Sequence, residues 1–159
     1  MAAPPLHVVL VHPEIPPNTG NIGRLCAFAA ARLHLIHPLG FRTDDRQLRR
    51  SGMDYWRRLD VHEHPSWQSF TAASQGPRRL WLMTAHAAAD LWSAHFAADD
   101  GLVFGCESQG APPEVYRSIA PPRRLAIARF GAGLRSLNLA TSVAVAVYEA
   151  RRQQAAAGG

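Results

Sequence analysis

The sequence contains no lysine, and all 17 of its strongly basic side chains are arginines. A chain without lysine cannot carry the lysine of a phosphate-binding P-loop or a lysine that forms a Schiff base. P-loop nucleoside triphosphatases and pyridoxal phosphate enzymes are therefore excluded. GC-rich coding explains this bias as well as a selected role for arginine does, because alanine is also abundant.

Cysteines and long apolar runs are scarce as well. The two cysteines, Cys26 and Cys106, are too few for a disulfide framework or a four-cysteine zinc site. The longest apolar runs, such as 143–147, are far too short to cross a bilayer. The N-terminus lacks the basic region and the long apolar region of a signal peptide. We therefore expect a cytoplasmic protein with no membrane association.

Length and composition are those of an ordered globular protein. The 159 residues are 47% hydrophobic and 18% charged, which leaves room for one domain with a substantial core. We expect that domain to cover 1–153 and to be followed by a frayed tail over 154–159.

The charges are unevenly distributed along the chain. Residues 42–58 carry a net charge of +3 and residues 117–159 carry +6, whereas residues 59–116 carry −5. The arginines of the two basic blocks are Arg42, Arg46, Arg49, Arg50, Arg57 and Arg58, and then Arg117, Arg123, Arg124, Arg129, Arg135, Arg151 and Arg152. Planar guanidinium groups suit phosphate recognition, and basic patches are typical of nucleic-acid binding. An ordinary solvated surface is the alternative.

Apolar runs alternate with segments of helical spacing. The pattern predicts strands over 6–12, 33–36, 80–84, 101–105 and 124–128. It predicts helices over 21–31, 44–50, 66–74, 87–96, 112–119 and 136–152. This alternation indicates an α/β fold with a mainly parallel sheet and helices on both faces. Ligands of such folds bind outside the carboxyl ends of the strands, so we expect the chemistry in the loops there.

The loop over 13–24, after the first strand, is the first candidate site. Asn18 is placed to cap the helix that follows, and the neighbouring glycines leave backbone N–H groups open to an anion. Arg24 lies less than two helical turns further on and can reach the same ligand. The alternative is a capped helix with a surface arginine.

Two later loops are also polar. The segment 105–112 is predicted to form a turn in which Gly105 and Gly110 leave the backbone accessible and Glu107 presents a carboxylate to a ligand. The alternative is a strand-to-helix turn with a solvated glutamate. In 133–141, Ser136 is predicted to cap the last helix, with Asn138 in its first turn. Both side chains can bind the backbone N–H groups at the start of this helix together with a ligand. The alternative is that they only cap the helix.

The histidines and cysteines do not form a recognisable catalytic or metal motif. His62 and His64 flank Glu63, but no third and fourth ligand follows at a usable spacing. Cys26 is predicted to be buried in a helix, and no cysteine-enzyme signature surrounds Cys106. We therefore expect no metal and no cysteine nucleophile.

Taken together, the three loops resemble a known family. In order, they read P-E-I-P-P-N-T-G-N-I-x-R-L-C-A, then F-G-x-E-x-x-G, then R-S-L-N-L-x-x-x-V-x-V-x-x-Y-E-A. Over 6–153 the chain resembles the SPOUT superfamily of knotted RNA methyltransferases. Within it, the similarity is greatest to the small tRNA 2′-O-methyltransferases, which act on the ribose of the wobble nucleotide in the anticodon.

The resemblance implies a fold, a cofactor and a set of site residues. The C-terminal part of the sheet would form a deep trefoil knot whose loops hold S-adenosylmethionine. The residues implied to contact the cofactor are Met83, Gly105, Glu107, Gly110, Ile127 and Ser136. Those implied in catalysis are Asn18, Arg24, Ser136 and Asn138. The enzyme would be a homodimer, with the first motif of the partner chain completing each site.

The implied chemistry is transfer of the sulfonium methyl group to a ribose 2′-oxygen without a metal. The guanidinium of arginine stays protonated in proteins and is therefore a poor general base. We interpret Arg24 as a residue that binds the adjacent phosphate. The basic blocks would hold the anticodon stem-loop of the tRNA. Tyr55 or Trp56 would stack on the wobble base, with core packing as the alternative for both.

Three departures from the family pattern lie in the cofactor loops. Gln109 replaces an arginine, Arg129 and Phe130 stand after a strand that usually ends in Pro-Met, and Ala140 and Thr141 replace Ser-Asn.

Three rival functions remain. They are 2′-O-methylation at another tRNA or rRNA position, RNA binding without catalysis, and a nucleotide-binding oxidoreductase, which would lack its glycine fingerprint.

Overall fold

The computed structural model describes residues 2–44, 46, 50 and 55–159. The helix predicted over 44–50 falls largely outside the described residues, as does Arg49 of the first basic block.

The described part of the chain contains a seven-stranded sheet. The strands are β1 (Leu6–Val11), β2 (Arg32–Ile36), β3 (Val61–His64), β4 (Arg79–Met83), β5 (Ala89–Asp90), β6 (Asp100–Phe104) and β7 (Arg124–Ala126). Their order is β3-β2-β1-β6-β4-β7-β5, and every neighbouring pair is parallel. The predicted mainly parallel α/β sheet is confirmed.

Helices cover both faces of this sheet, as predicted. They are α1 (Pro16–Ala29), α2 (Trp67–Ala72), α3 (Pro113–Ser118) and α4 (Leu139–Ala157). Successive residues of a strand point to opposite faces. Val8 and Leu10 of β1 therefore join the core under α1 and α4, whereas Val9 joins Phe70 and Val115 in the core under α2 and α3.

Helix α1 begins earlier than predicted, at Pro16 rather than at residue 21. Pro16 and Pro17 occupy its first two positions, where the missing N–H groups would have no partner inside the helix. Asn18 and Thr19 consequently lie within the helix, and the residue at its N-cap is Ile15. The prediction that Asn18 caps the helix is wrong.

The helix predicted over 87–96 is also wrong. Its alanines favour a helix, but β5 pairs with β7 and a 3-10 turn over Leu91–Ser93 follows. Asp90 caps this turn by accepting a hydrogen bond from the backbone N–H of Trp92 at 2.8 Å. The added strand pairing and the cap outweigh the local helix propensity. Strand β3 is an element that the sequence did not predict.

Helix α4 begins three residues later than predicted. Its cap is Asn138, whose side chain accepts from the N–H of Thr141, and Ser136 lies outside the helix. The predicted frayed tail is wrong as well, because the helix runs to Ala157. Gln153 accepts from the N–H of Phe96 at 2.9 Å and ties the last turns to the preceding loop. No helix of the described residues is long and apolar enough to cross a membrane.

Candidate functional site

The candidate site lies where the loops after β1, β4, β6 and β7 meet. These four strands are neighbours in a parallel sheet, so their carboxyl ends share one edge. The loops hold six of the site residues predicted from the sequence, whereas Asn18 and Arg24 lie on α1. The six are Gly105, Glu107, Gly110, Ile127, Ser136 and Asn138. Met83 is the last residue of β4, Gly105 follows β6, and Ile127 follows β7.

Two carboxylates join the first loop to the second. Glu107 accepts hydrogen bonds from the backbone N–H groups of Glu14 and Ile15, both at 2.9 Å. In return, the Glu14 carboxylate accepts from the hydroxyl of Ser108 at 2.6 Å and from its N–H at 3.2 Å. We call these four residues the carboxylate clamp. The clamp places a negative group at the N-terminus of α1, where the helix dipole favours it.

The two carboxylates of the clamp have opposite pKa shifts. Burial raises the pKa of Glu107, although the N–H groups of Glu14 and Ile15 partly offset this effect. Hydrogen bonds from Cys106 and Ser108 lower the pKa of Glu14. The structure therefore gives Glu107 a structural partner in the first loop, which its spacing in the sequence did not indicate.

Gly105 and Gly110 allow the second loop to fold back on itself. The N–H of Cys106 donates to the carbonyl of Gly110 at 3.1 Å, and the N–H of Gly110 donates to the carbonyl of Cys106 at 3.0 Å. A Cβ on Gly105 would lie only 2.0 Å from the carbonyl carbon of Gly110. Gly110 has a φ of 72°, a left-handed conformation that favours glycine. The loop itself therefore requires both glycines.

Asn18 and Asn138 connect the first and third loops. The side-chain amide of Asn138 donates to the Oδ1 atom of Asn18 at 3.0 Å. Asn18 is nearly buried, and its acceptor oxygen is occupied by this bond. Its amide N–H groups remain to bind an acceptor, so Asn18 offers a hydrogen-bond donor to a ligand.

Arg24 and Ser136 are the least constrained of the predicted residues. Arg24 is exposed on α1, and its guanidinium lies 5.0 Å from the centre of the Tyr55 ring. Ser136 is exposed two residues before the cap of α4. Within the described residues, no hydrogen bond joins either side chain to the other predicted site residues. Trp56 packs against the core and against Gly23, which favours the core alternative for that residue.

The site also contains polar residues that the sequence analysis missed. Thr84 directly follows Met83, and its hydroxyl contacts the hydroxyl of Tyr116 and accepts from the N–H of His86. Glu14 and Ser108 of the clamp were likewise missed, although each lies inside a recognised motif. The signal available for Glu14 was its position three residues after the end of β1.

The second basic block is partly structural. Arg151 donates to the carbonyls of Ala29 and Ala30 at the end of α1, both at 2.9 Å, and Arg152 pairs with Glu149. Arg57, Arg58, Arg117 and Arg135 are exposed and make no hydrogen bond or ion pair within the described residues, whereas the exposed Arg129 donates to the carbonyl of Leu134. Among the described residues, no three histidine, cysteine, aspartate or glutamate side chains form a group able to hold a metal.

A comparison with known protein families decides the relationship. The model of the SpoU rRNA methylase family matches residues 5–148. The chain belongs to this family. The sheet order and the loops after β6 and β7 described above are therefore those of a SpoU methylase.

Individual SpoU relatives cover almost the whole chain. A protein from a Polaromonas species, named tRNA (cytidine(34)-2′-O)-methyltransferase, is 46% identical over 96% of this chain and 93% of its own. A solved structure described as giving insights into the 2-OH methylation of C/U34 on tRNA is 43% identical. It covers 96% of this chain and 98% of its own, with a TM-score of 0.88.

A more distant SpoU structure shares the fold. The SpoU methyltransferase AviRb from Streptomyces viridochromogenes, solved in complex with the cofactor AdoMet, is 23% identical with a TM-score of 0.83. It covers 98% of this chain and 60% of its own. The additional length of AviRb lies outside the part that this chain matches.

Proposed function

We propose that this chain transfers a methyl group from S-adenosylmethionine to the ribose 2′-oxygen of nucleotide 34, the wobble position of tRNA. The relatives that match nearly the whole chain carry this activity in their names. The observation that carries the proposal is the joining of the three motif loops. The carboxylate clamp links the first loop to the second, and the Asn18–Asn138 bond links the first to the third.

The loops at the carboxyl ends of β4, β6 and β7 fit the cofactor. Ile127 offers partly exposed apolar surface and packs against the core that contains Met83, and the turn at Gly110 is open, since a Cβ there would meet nothing within 4 Å. We assign the contacts with S-adenosylmethionine to Met83, Gly105, Gly110, Ile127 and Ser136. When bound, the cofactor supplies an electrophilic methyl group on a sulfonium. Glu107 supports this site through the clamp.

The side chains of the first and third loops orient the ribose. Asn18 donates a hydrogen bond to a sugar or phosphate oxygen, because its own oxygen is occupied by Asn138. Arg24 binds the adjacent phosphate, and Ser136 can hydrogen-bond the sugar. Positioning of the 2′-hydroxyl next to an activated methyl group can supply most of the rate enhancement. This assignment needs no metal.

The anticodon stem-loop is the part of the tRNA that we propose the enzyme binds. Exposed arginines, such as Arg117 on α3 and Arg135 next to Ser136, suit its phosphates, and such binding weakens steeply with salt. We place the enzyme with this substrate in the cytoplasm. The deep trefoil knot and a single domain over most of the chain belong to the same proposal.

A homodimer completes the proposed site. Phe28 on α1 and Tyr148 on α4 are both exposed, with ring centres 6.5 Å apart, and Val145 on α4 is exposed as well. An unpartnered apolar face shared by two helices suits a two-fold interface with a second copy. In each protomer Arg24 rests on Tyr55. We propose that the first motif of the partner supplies the arginine that faces Ser136.

Methyl transfer to isolated tRNA tests the function. The protein is incubated with S-adenosylmethionine labelled in its methyl group and with tRNA that lacks modifications. We expect label on the 2′-oxygen of nucleotide 34, detected by nuclease digestion and mass spectrometry. Label at another nucleotide would show that the enzyme has a different target. Binding of tRNA with no transfer of label would exclude the enzymatic function.

A further inference from the structure

Two large aromatic side chains are exposed beside the loop that follows β7. Trp92 has 63% of its surface exposed and Phe130 has 87%. Their ring centres are 6.2 Å apart, with an angle of 36° between the ring planes. Exposing two adjacent aromatic rings costs free energy that core packing would recover, so the pair has no evident role in the stability of the protomer. We call Trp92 and Phe130 the aromatic pair.

The backbone on both sides of the aromatic pair is held in place. The cap from Asp90 fixes Trp92 in its 3-10 turn, and β5, just before this turn, pairs with β7, which ends four residues before Phe130. On the other side, the guanidinium of Arg129 donates to the carbonyl of Leu134 and closes the loop that carries Phe130. The rings are therefore presented on a supported surface.

The charges around the aromatic pair favour an anionic partner. Arg129 and Arg135 are exposed in the same loop and make no ion pair within the described part of the chain. The carboxylate nearest in sequence, Asp90, is occupied as a cap. In a two-fold dimer a patch commonly meets its own copy, so these arginines would face arginines. Aromatic rings flanked by arginines are the combination that binds single-stranded nucleic acids.

We propose that Trp92 and Phe130 form a stacking platform for an unpaired base of the tRNA anticodon loop. This inference rests on the proposed function and adds a substrate contact to it. The aromatic pair holds the base by stacking, while Arg129 and Arg135 hold the neighbouring phosphates. The high exposure of both rings fits a base that arrives from solvent better than the adenine of an enclosed cofactor.

Binding measurements on a stem-loop RNA test the platform. A fluorescent anticodon stem-loop without modifications is titrated with wild-type protein, Trp92→Ala, Phe130→Ala and Trp92→Phe. We expect each alanine variant to bind about tenfold more weakly, because stacking contributes to each base contact. Trp92→Phe retains a ring and should bind within about threefold of wild type. Leu134→Ala is the matched control, since it removes exposed apolar surface from the same loop without removing a ring.

Abasic RNAs identify a stacked base directly. Single abasic sites are placed in turn at each position of the anticodon loop. One of them should weaken binding to wild-type protein about tenfold but binding to Trp92→Ala less than about twofold, because the ring and the base form one contact. The slope of log Kd against log salt should be unchanged in Trp92→Ala and smaller in Arg135→Gln, which removes a phosphate contact.

Three results would overturn the inference. Equal binding of wild-type protein and both alanine variants would remove any role in RNA binding. A weaker affinity of Trp92→Ala for S-adenosylmethionine, measured without RNA, would assign the rings to the cofactor. Dissociation of a dimer on substitution of Trp92 would assign them to a second copy. The proposed function fails separately, when wild-type protein leaves nucleotide 34 unmethylated.

Discussion

Four side chains form a hydrogen-bonded chain beneath α2 that should make the stability of the protein depend on pH. Asp99 contacts Nε2 of His7 at 2.9 Å, Nδ1 of His7 contacts Nε2 of His34 at 2.8 Å, and Nδ1 of His34 contacts Nε2 of His64 at 2.9 Å. The Asp99 carboxylate can only accept, so each neutral imidazole donates through Nε2 and accepts through Nδ1. Both ring nitrogens of His7 and His34 then have hydrogen-bond partners without either ring carrying a charge.

Protonation of the central ring is costly because it lies inside the protein. Only 2% of the surface of His34 is exposed, and burial lowers its pKa from 6.5 to about 3, with smaller contributions from His7 and His64. Burial also lowers the pKa of His7 and of His64. Other charged groups near this chain are Arg32, Asp60 and His62.

The sign of the effect follows from these shifts. Between pH 6.5 and pH 3 the unfolded chain binds a proton at residue 34 that the folded chain does not bind, so stability falls as the pH falls. One pKa unit corresponds to about 1.4 kcal/mol. His34 alone should therefore lower the free energy of unfolding by about 2 kcal/mol at pH 5, relative to neutral pH. His7 and His64 add to this loss.

Urea unfolding of His34→Phe checks this reasoning. The free energy of unfolding is measured at pH 7.5 and pH 5.0 for wild-type protein, for His34→Phe and for His95→Gln. His95 is exposed and outside the chain, so its substitution is the control. We expect the loss between the two pH values to be about 2 kcal/mol smaller in His34→Phe than in the other two proteins. An equal loss in all three proteins would refute the argument.

Further predictions concern the site and the dimer. Arg24→Ala should abolish methyl transfer while calorimetry still detects cofactor binding; unchanged turnover would exclude Arg24 from the mechanism. Glu107→Gln should lower the free energy of unfolding by about 1.5 kcal/mol, since a charged acceptor of two N–H groups is lost, and Ser108→Ala should cost less. Tyr148→Asp should give monomers in analytical ultracentrifugation and lose methyl transfer; an active monomer would contradict the shared site.

The central strands could be predicted from the sequence because they are buried on both faces. Strands of a covered parallel sheet appear as continuous apolar runs, and β1, β4 and β6 all have this form. Strand β3 has the sequence VHEH, which carries no such signal. Its His64 is accommodated by the ring of His34 on the neighbouring strand, a partner that local sequence cannot reveal.

The sequence predicted which segments form the candidate site, but it did not predict the hydrogen bonds between them. The motif order pointed to Asn18, Glu107 and Asn138, and the structure connects the three segments that carry them, with Asn18 in the first turn of α1. Their partners were not predictable, because the acceptor of a side chain depends on which loops the sheet brings together. Ser136 illustrates the same limit: as a good capping residue it matched the expected cap of α4, yet Asn138 occupies that position.

The carboxylate clamp has a consequence for the order in which the protein is built. Glu14 and Glu107 are 93 residues apart, and Asn18 and Asn138 are 120 apart. A chain emerging from the ribosome therefore completes β1 and α1 long before the groups that anchor their junction exist. Contacts of such long sequence separation cost more loop-closure entropy than local contacts do. A chain truncated before Asn138 therefore cannot form the Asn18–Asn138 bond that joins the first motif to the third.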